Sequence, residues 1–119
     1  MHPGSKILVV DDEEANRLLL RDILESHGYV VYEAADGSEA LMVKHSIEPH
    51  LAIVDLDMPK MNGIEFTKKA KEESKGFPVI MVTGFARFYS PADILASGVD
   101  AFLQKPLDTK KLLEIVEKL

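Results

Sequence analysis

The sequence contains no cysteine, and its apolar runs never exceed a few residues. The first absence excludes a fold stapled by disulfides and fits a cytoplasmic protein. The second leaves nothing that approaches a membrane span, and the opening MHPGSK lacks the charged-then-apolar pattern of a signal peptide, so no membrane role is expected. An excess of positive charge is missing too. The formal net charge of −6 argues against autonomous nucleic-acid binding, which requires clustered Lys and Arg to neutralise phosphates. The cluster Lys68, Lys69, Lys71 and Lys75 reads as a solvated helix face. His2, His27, His45 and His50 lack the close pairing of a zinc site. Internal repeats and linkers are absent as well. What remains is 119 residues, 46% hydrophobic and 29% charged, enough for one domain with one buried core.

Within that domain, short apolar runs are cut off by polar residues. Met1 to Ser5 are expected as a disordered lead, and the fold begins at Lys6 and runs to Leu119. Ile7 to Val10 form a strand apolar on both faces, stopped by Asp11, Asp12, Glu13 and Glu14. Glu14 to His27 read as a helix whose acidic first turn suits the positive end of the dipole, with Gly28 as its stop. Val30 to Ala34 form the second strand, and Ser38 is a plausible N-cap for a helix to about Ser46. Leu51 to Val54 form the third, two-sided apolar again, ending at Asp55 and Asp57, before a helix from Ile64 to Glu73. Phe77 to Val82 are the fourth strand, ended by Thr83 and Gly84; Pro91 opens a helix to about Ser97, stopped by Gly98. Ala101 to Leu103 are a short fifth strand, ended by Gln104, Lys105 and Pro106, and Asp108 or Thr109 caps the last helix.

Strands alternating with helices predict a parallel sheet covered on both faces, because right-handed crossovers return each helix to the sheet. With five strands and five helices the expected order is 2-1-3-4-5, an α/β flavodoxin-like doubly wound fold. Strands one and three then adjoin where the winding reverses, so Asp11, Asp12 and Asp55 converge in one crevice, with Thr83 and Lys105 on the same edge. Carboxylates packed so closely repel one another unless a cation intervenes, and an all-oxygen ligand set suits magnesium, with manganese as a substitute. Asp12 and Asp55 are expected as direct ligands, a backbone carbonyl near Asp57 as a third, and Asp11 acts through water. With a metal and a lysine in place, Asp55 is the candidate nucleophile toward phosphorus. Lys105 pairs with one phosphoryl oxygen and Thr83 donates a hydrogen bond to another.

The segments ILVVDDE, LAIVDLDMPKMNG, VIMVTG and AFLQKP, in that order and at those strand ends, resemble the receiver domain of bacterial two-component response regulators. The resemblance runs from Lys6 to Leu119. It implies Asp55 as phosphoacceptor, Asp11 and Asp12 as the acid pair that holds magnesium, Thr83 as the switch hydroxyl and Lys105 as the lysine before a cis proline, Pro106. Phe102 falls at the switch aromatic, where plain core packing is an equal reading. The implied partners are a sensor histidine kinase or histidine phosphotransfer protein as donor and a downstream effector as target. No separate turnover substrate is expected, and the chain is either a stand-alone receiver or a piece of a longer regulator or hybrid kinase.

Several positions depart from the family pattern. Asn62 replaces the usual aspartate before Gly63, and Gly84 follows Thr83 where alanine is common. Phe85 occupies a position that influences water access to the phosphoryl group, and a bulky apolar residue there predicts slow dephosphorylation. Val99 to Phe102 lack the second acid of regulators that dimerise through their last helices. On the first helix Leu19, Leu20, Ile23 and Leu24 make one stripe, and Leu18, off its centre, is a candidate contact for the phosphodonor. Two other functions compete. Asp55 and Asp57 match the DxD spacing of a haloacid-dehalogenase-like phosphohydrolase, and a receiver-like module that works without phosphorylation is the second alternative.

Overall fold

The computed structural model describes residues 1–58, 60–84 and 89–119. The elements follow in the order β1 (Lys6–Val10), α1 (Glu14–Ser26), β2 (Val30–Ala34), α2 (Gly37–Ile47), β3 (Leu51–Asp55), α3 (Gly63–Glu73), β4 (Val79–Thr83), α4 (Pro91–Ala96), β5 (Ala101–Gln104) and α5 (Thr109–Lys118). The strands form one parallel sheet in the order β2-β1-β3-β4-β5, as the alternation predicts.

Because side chains alternate across a strand, each central strand feeds two cores. Leu8, Val10, Ala52, Val54, Val79 and Met81 point to the face covered by α2, α3 and α4, where Ala40, Phe66, Ala70 and Ile94 meet them. Ile7, Val9, Ile53, Ile80 and Val82 point the other way, onto Leu20 and Leu24 of α1 and Leu112 and Val116 of α5. Val10 pairs with Val54 across β1 and β3, so the next residues on each strand, Asp11 and Asp55, leave the sheet side by side.

Local chemistry sets the helix ends, with some differences from expectation. The cap of α2 is Asp36 rather than Ser38: its carboxylate accepts from the Glu39 N–H at 2.9 Å and the helix starts at Gly37. Gly37 is required there, since a Cβ would lie 2.7 Å from the Met61 carbonyl oxygen. Strand β4 begins at Val79 rather than Phe77, because the Phe77 N–H is turned back onto Ser74 and Pro78 has no N–H to offer. Pro78 contributes only its carbonyl, which accepts from Ala52 at 3.1 Å. Asn62 caps α3 in a reciprocal box with Glu65, and Asp108, not Thr109, caps α5.

Leu19 differs from the expected stripe. It is 58% exposed, whereas Leu20 and Leu24 are buried, because the inward face of α1 also carries Arg17 and Arg21, which reach Glu33 of β2. Residues 1–5, expected as a disordered lead, lie against the domain. Gly4 donates to the Gly28 carbonyl at 2.8 Å, Val30 donates to the Ser5 carbonyl at 2.9 Å, and Met1 packs on the α1–α5 core. Backbone pairing with the turn before β2 and an apolar first side chain give this segment the anchors that its composition conceals.

Candidate functional site

The carboxyl ends of β1, β3, β4 and β5 open on one edge of the sheet. Asp55, the last residue of β3, is 7% exposed, and Asp11, one residue past β1, is 3% exposed; Asp12 beside it faces solvent. One carboxylate oxygen from each of Asp11, Asp12 and Asp55 falls within 4.8 Å of the others, the single such grouping of potential metal ligands among the described residues. Lys105, just past β5, reaches over them, its Nζ 3.6 Å from Asp55 Oδ1 and 3.7 Å from Asp11 Oδ2. Lys105 is held by its own backbone, which donates to the Thr83 carbonyl at 2.8 Å, and the Lys105–Pro106 peptide is cis. Thr83 ends β4, 1% exposed, in register with Gln104.

The electrostatics are those of an acid crowded by acids. Burial, and next the charge on Asp11, push Asp55 up to about 6 from 3.8; Lys105 pulls the other way, and Asp57 and Asp12 add to the rise. One lysine therefore does not neutralise the pocket. Three hard oxygen donors at this spacing, with residual negative charge, suit a small divalent cation such as magnesium.

The loop after Asp55 is fitted tightly beneath the site. Leu56 is fully buried and donates to the Val82 carbonyl at 2.9 Å, and Gly63 donates back to the Leu56 carbonyl at 3.0 Å. A Cβ on Gly63 would sit 2.6 Å from the Asp55 carbonyl oxygen, so only glycine lets α3 start this close to the strand end. Asp57 is exposed beyond that turn. Phe102 is half-buried, in register with Met81 and packed on the α2–α3–α4 core. A Cβ on Gly84 would make only an ordinary contact, 3.6 Å from the Lys105 Cδ. Phe85 lies outside the described residues.

Between α1 and the loop into α5 lies a cavity of about 310 Å³ that opens on Asp55 and Lys105 and is lined by Asn16, Leu19, Ile23 and Leu107 among others. Leu18, 47% exposed on α1, is outside its lining. Three features escaped the sequence. Arg17 Nη1 donates to the Asp11 carbonyl at 2.6 Å and its Nε to Glu33 Oε1 at 3.0 Å. Asn62 Nδ2 donates to the Tyr89 hydroxyl at 2.9 Å, tying the β3–α3 loop to the approach to α4. Lys44 is buried, its ammonium 5.0 Å from the Phe77 ring centroid. The spacing of Arg17 and Arg21, one turn apart and facing the acid in β2, was a signal for the first; Tyr89 and Lys44 had none.

A doubly wound sheet with a lysine-bridged acid cluster at its winding reversal defines an α/β protein with a candidate cation site at the carboxyl edge of its strands. Comparison with known proteins makes the class specific. Residues 7–117 match the model of the response regulator receiver domain. The polar-differentiation response regulator DivK of Brucella ovis is 34% identical over 113 residues, 93% of this chain and 92% of its own length. Among solved structures, a response regulator receiver protein from Pseudomonas putida superposes with a TM-score of 0.91 at 32% identity, covering all of both chains. The CheY-like receiver domain protein from Methanospirillum hungatei gives 0.90 at 36% identity, over 97% of this chain and 92% of that one. The chain belongs to the response regulator receiver domain family of two-component signalling.

Proposed function

We propose that this receiver takes a phosphoryl group onto Asp55 from the phosphohistidine of a sensor histidine kinase or histidine phosphotransfer protein, and that the change at Asp55 alters its surface for a downstream effector. The observation that carries this reading is the convergence of Asp11, Asp55 and Lys105 at one strand edge, with Lys105 within 3.7 Å of both acids. Asp11, Asp12 and Asp55, with the Asp57 carbonyl, would hold magnesium, manganese substituting. The bound cation would screen the negative charge that the attacking carboxylate and the incoming phosphoryl group bring together.

Each side chain has a definable task. A carboxylate oxygen of Asp55 bonds to phosphorus as the P–N bond of the phosphohistidine breaks, and that electron pair leaves with the imidazole. Lys105, already bridging Asp55 and Asp11, turns its ammonium to a phosphoryl oxygen. The Thr83 hydroxyl donates to another. Burial of Asp55 serves the reaction, because a carboxylate deprived of water loses less solvation on attack. The product carries about two negative charges beside Asp11 and Asp57 in place of the carboxylate's one. Thr83 moves toward it and Phe102 inward, which biases the α4–β5–α5 surface toward a second arrangement. Asp57 and Phe85 tune the lifetime of the adduct. Leu18, half-exposed on α1, is offered to the donor, and the setting for this exchange is the cytoplasm.

The test is incubation with acetyl phosphate and magnesium followed by borohydride reduction, which converts an aspartyl phosphate to homoserine. Homoserine at residue 55 supports the proposal, and homoserine elsewhere contradicts it. Sustained hydrolysis of a phosphomonoester would instead favour a phosphohydrolase, and effector binding unchanged by labelling would favour a module that works without phosphorylation.

A further inference from the structure

We infer that Arg17 is a positioning residue for the metal site: by bridging Glu33 of β2 and the Asp11 carbonyl, it fixes the peptide that aims the Asp12 carboxylate. This inference rests on the magnesium reading above.

Asp11 and Asp12 lie past the end of β1, where the strand ladder no longer holds the chain. The Asp11 N–H still donates to the Ala34 carbonyl at 3.1 Å, but its carbonyl is beyond the last registered pairs. Arg17 Nη1 takes that carbonyl at 2.6 Å. The Asp11 side chain has its own restraints, accepting from the Glu13 N–H at 2.9 Å and pairing with Lys105. Asp12 has none of this kind. Its carboxylate is exposed, and no hydrogen bond or ion pair reaches it among the described residues. Its direction is therefore set by the peptide that joins it to Asp11, whose oxygen is the one Arg17 holds.

Arg17 is suited to that role because it is itself clamped. Its side chain is 16% exposed, and its Nε donates to Glu33 Oε1 at 3.0 Å. The second oxygen of Glu33 is bound by Arg21, which also donates to the Val31 carbonyl at 3.3 Å and pairs with Glu25. The guanidinium is thus referenced to the edge strand through one N–H and holds the loop through another. A lysine, with a single ammonium nitrogen, does not span the two sites in this planar geometry.

The sign of the effect separates positioning from charge. Removing a cation from beside three carboxylates would, by Coulomb attraction alone, tighten the binding of a dication. Loss of an outer partner that orients a ligand weakens metal binding, typically by about 10–100-fold. Magnesium titration by calorimetry of the whole chain at pH 7.5 therefore decides. Arg17→Ala is expected to bind magnesium at least about tenfold more weakly than wild type, with Arg17→Lys in between. In the metal-free protein, exchange of the Glu13 amide should accelerate in Arg17→Ala. Equal or tighter magnesium binding by a folded Arg17→Ala overturns the inference. If circular dichroism shows that Arg17→Ala does not fold, Arg17→Lys, which keeps the charge but not the two-site bridge, replaces it: weakened binding supports the inference and unchanged binding overturns it. A wild-type protein that binds no magnesium removes the metal reading itself and this inference with it, whereas binding by wild type and variant alike removes the inference alone.

Discussion

Asp55→Asn should make the metal-free protein more stable while abolishing its proposed chemistry. In the folded state the Asp55 carboxyl is raised from 3.8 to about 6, chiefly by burial and by Asp11. At about 1.4 kcal/mol per tenfold change in an ionisation equilibrium, keeping this group charged in the folded chain costs about 3 kcal/mol at neutral pH. Asparagine retains the shape and removes the charge, at the loss of the Lys105 contact. We expect a gain of about 1 to 3 kcal/mol, or very roughly 4–10 °C in Tm for a domain of this size. The pH dependence carries the sign. A carboxyl raised on folding contributes stability that is fully present below the unfolded value near 3.8 and is lost as pH rises through about 6. The advantage of Asp55→Asn should therefore be full at pH 7.5 and shrink toward pH 4.5, where wild-type Asp55 is protonated when folded. Urea unfolding in EDTA, followed by far-ultraviolet circular dichroism at both pH values, measures it. A variant no more stable than wild type at pH 7.5, or a gain that does not change with pH, would refute the reasoning.

Other consequences follow from the same geometry. Gly63→Ala places a methyl group 2.6 Å from the Asp55 carbonyl and should cost about 1–3 kcal/mol by thermal unfolding, with slower labelling of Asp55; a neutral substitution would show that the turn can relax. Lys105→Ala removes the one charge found to pull the Asp55 ionisation down, so its midpoint should rise above about 6 by carboxyl-resolved NMR titration, and an unchanged or lower midpoint would contradict the pairing. Magnesium should raise the Tm of wild type but not of Asp55→Asn; an equal shift in both would place the cation elsewhere. Phe85→Ala is expected to shorten the phosphorylated lifetime, and an unchanged lifetime rejects a shielding role.

The parts of the site that were legible in the sequence share one property: they sit where an apolar strand stops. Asp11, Asp55, Thr83 and Lys105 each end or follow such a run, and a parallel sheet brings all strand ends of one sense to one edge. Period and punctuation were therefore enough to place them together. The rest depends on contacts between elements. Whether Ser38 or Asp36 caps α2 turns on Gly37 lying against Met61, a contact between segments some 25 residues apart. Leu19 is exposed because Arg17 and Arg21 draw α1 toward Glu33, which apolar periodicity alone does not register. The first five residues carry no pattern, and only the turn at Gly28 and the core beside α5 give them a place.

The central claim is that this acid cluster makes Asp55 a phosphoacceptor dependent on a divalent cation. The most direct test is intact-mass measurement after incubation with acetyl phosphate, with magnesium or with EDTA, for wild type and Asp55→Asn. The account predicts one phosphoryl group per chain for wild type with magnesium, and none with EDTA or in Asp55→Asn. An adduct that forms equally well in EDTA, or that persists in Asp55→Asn, would contradict it.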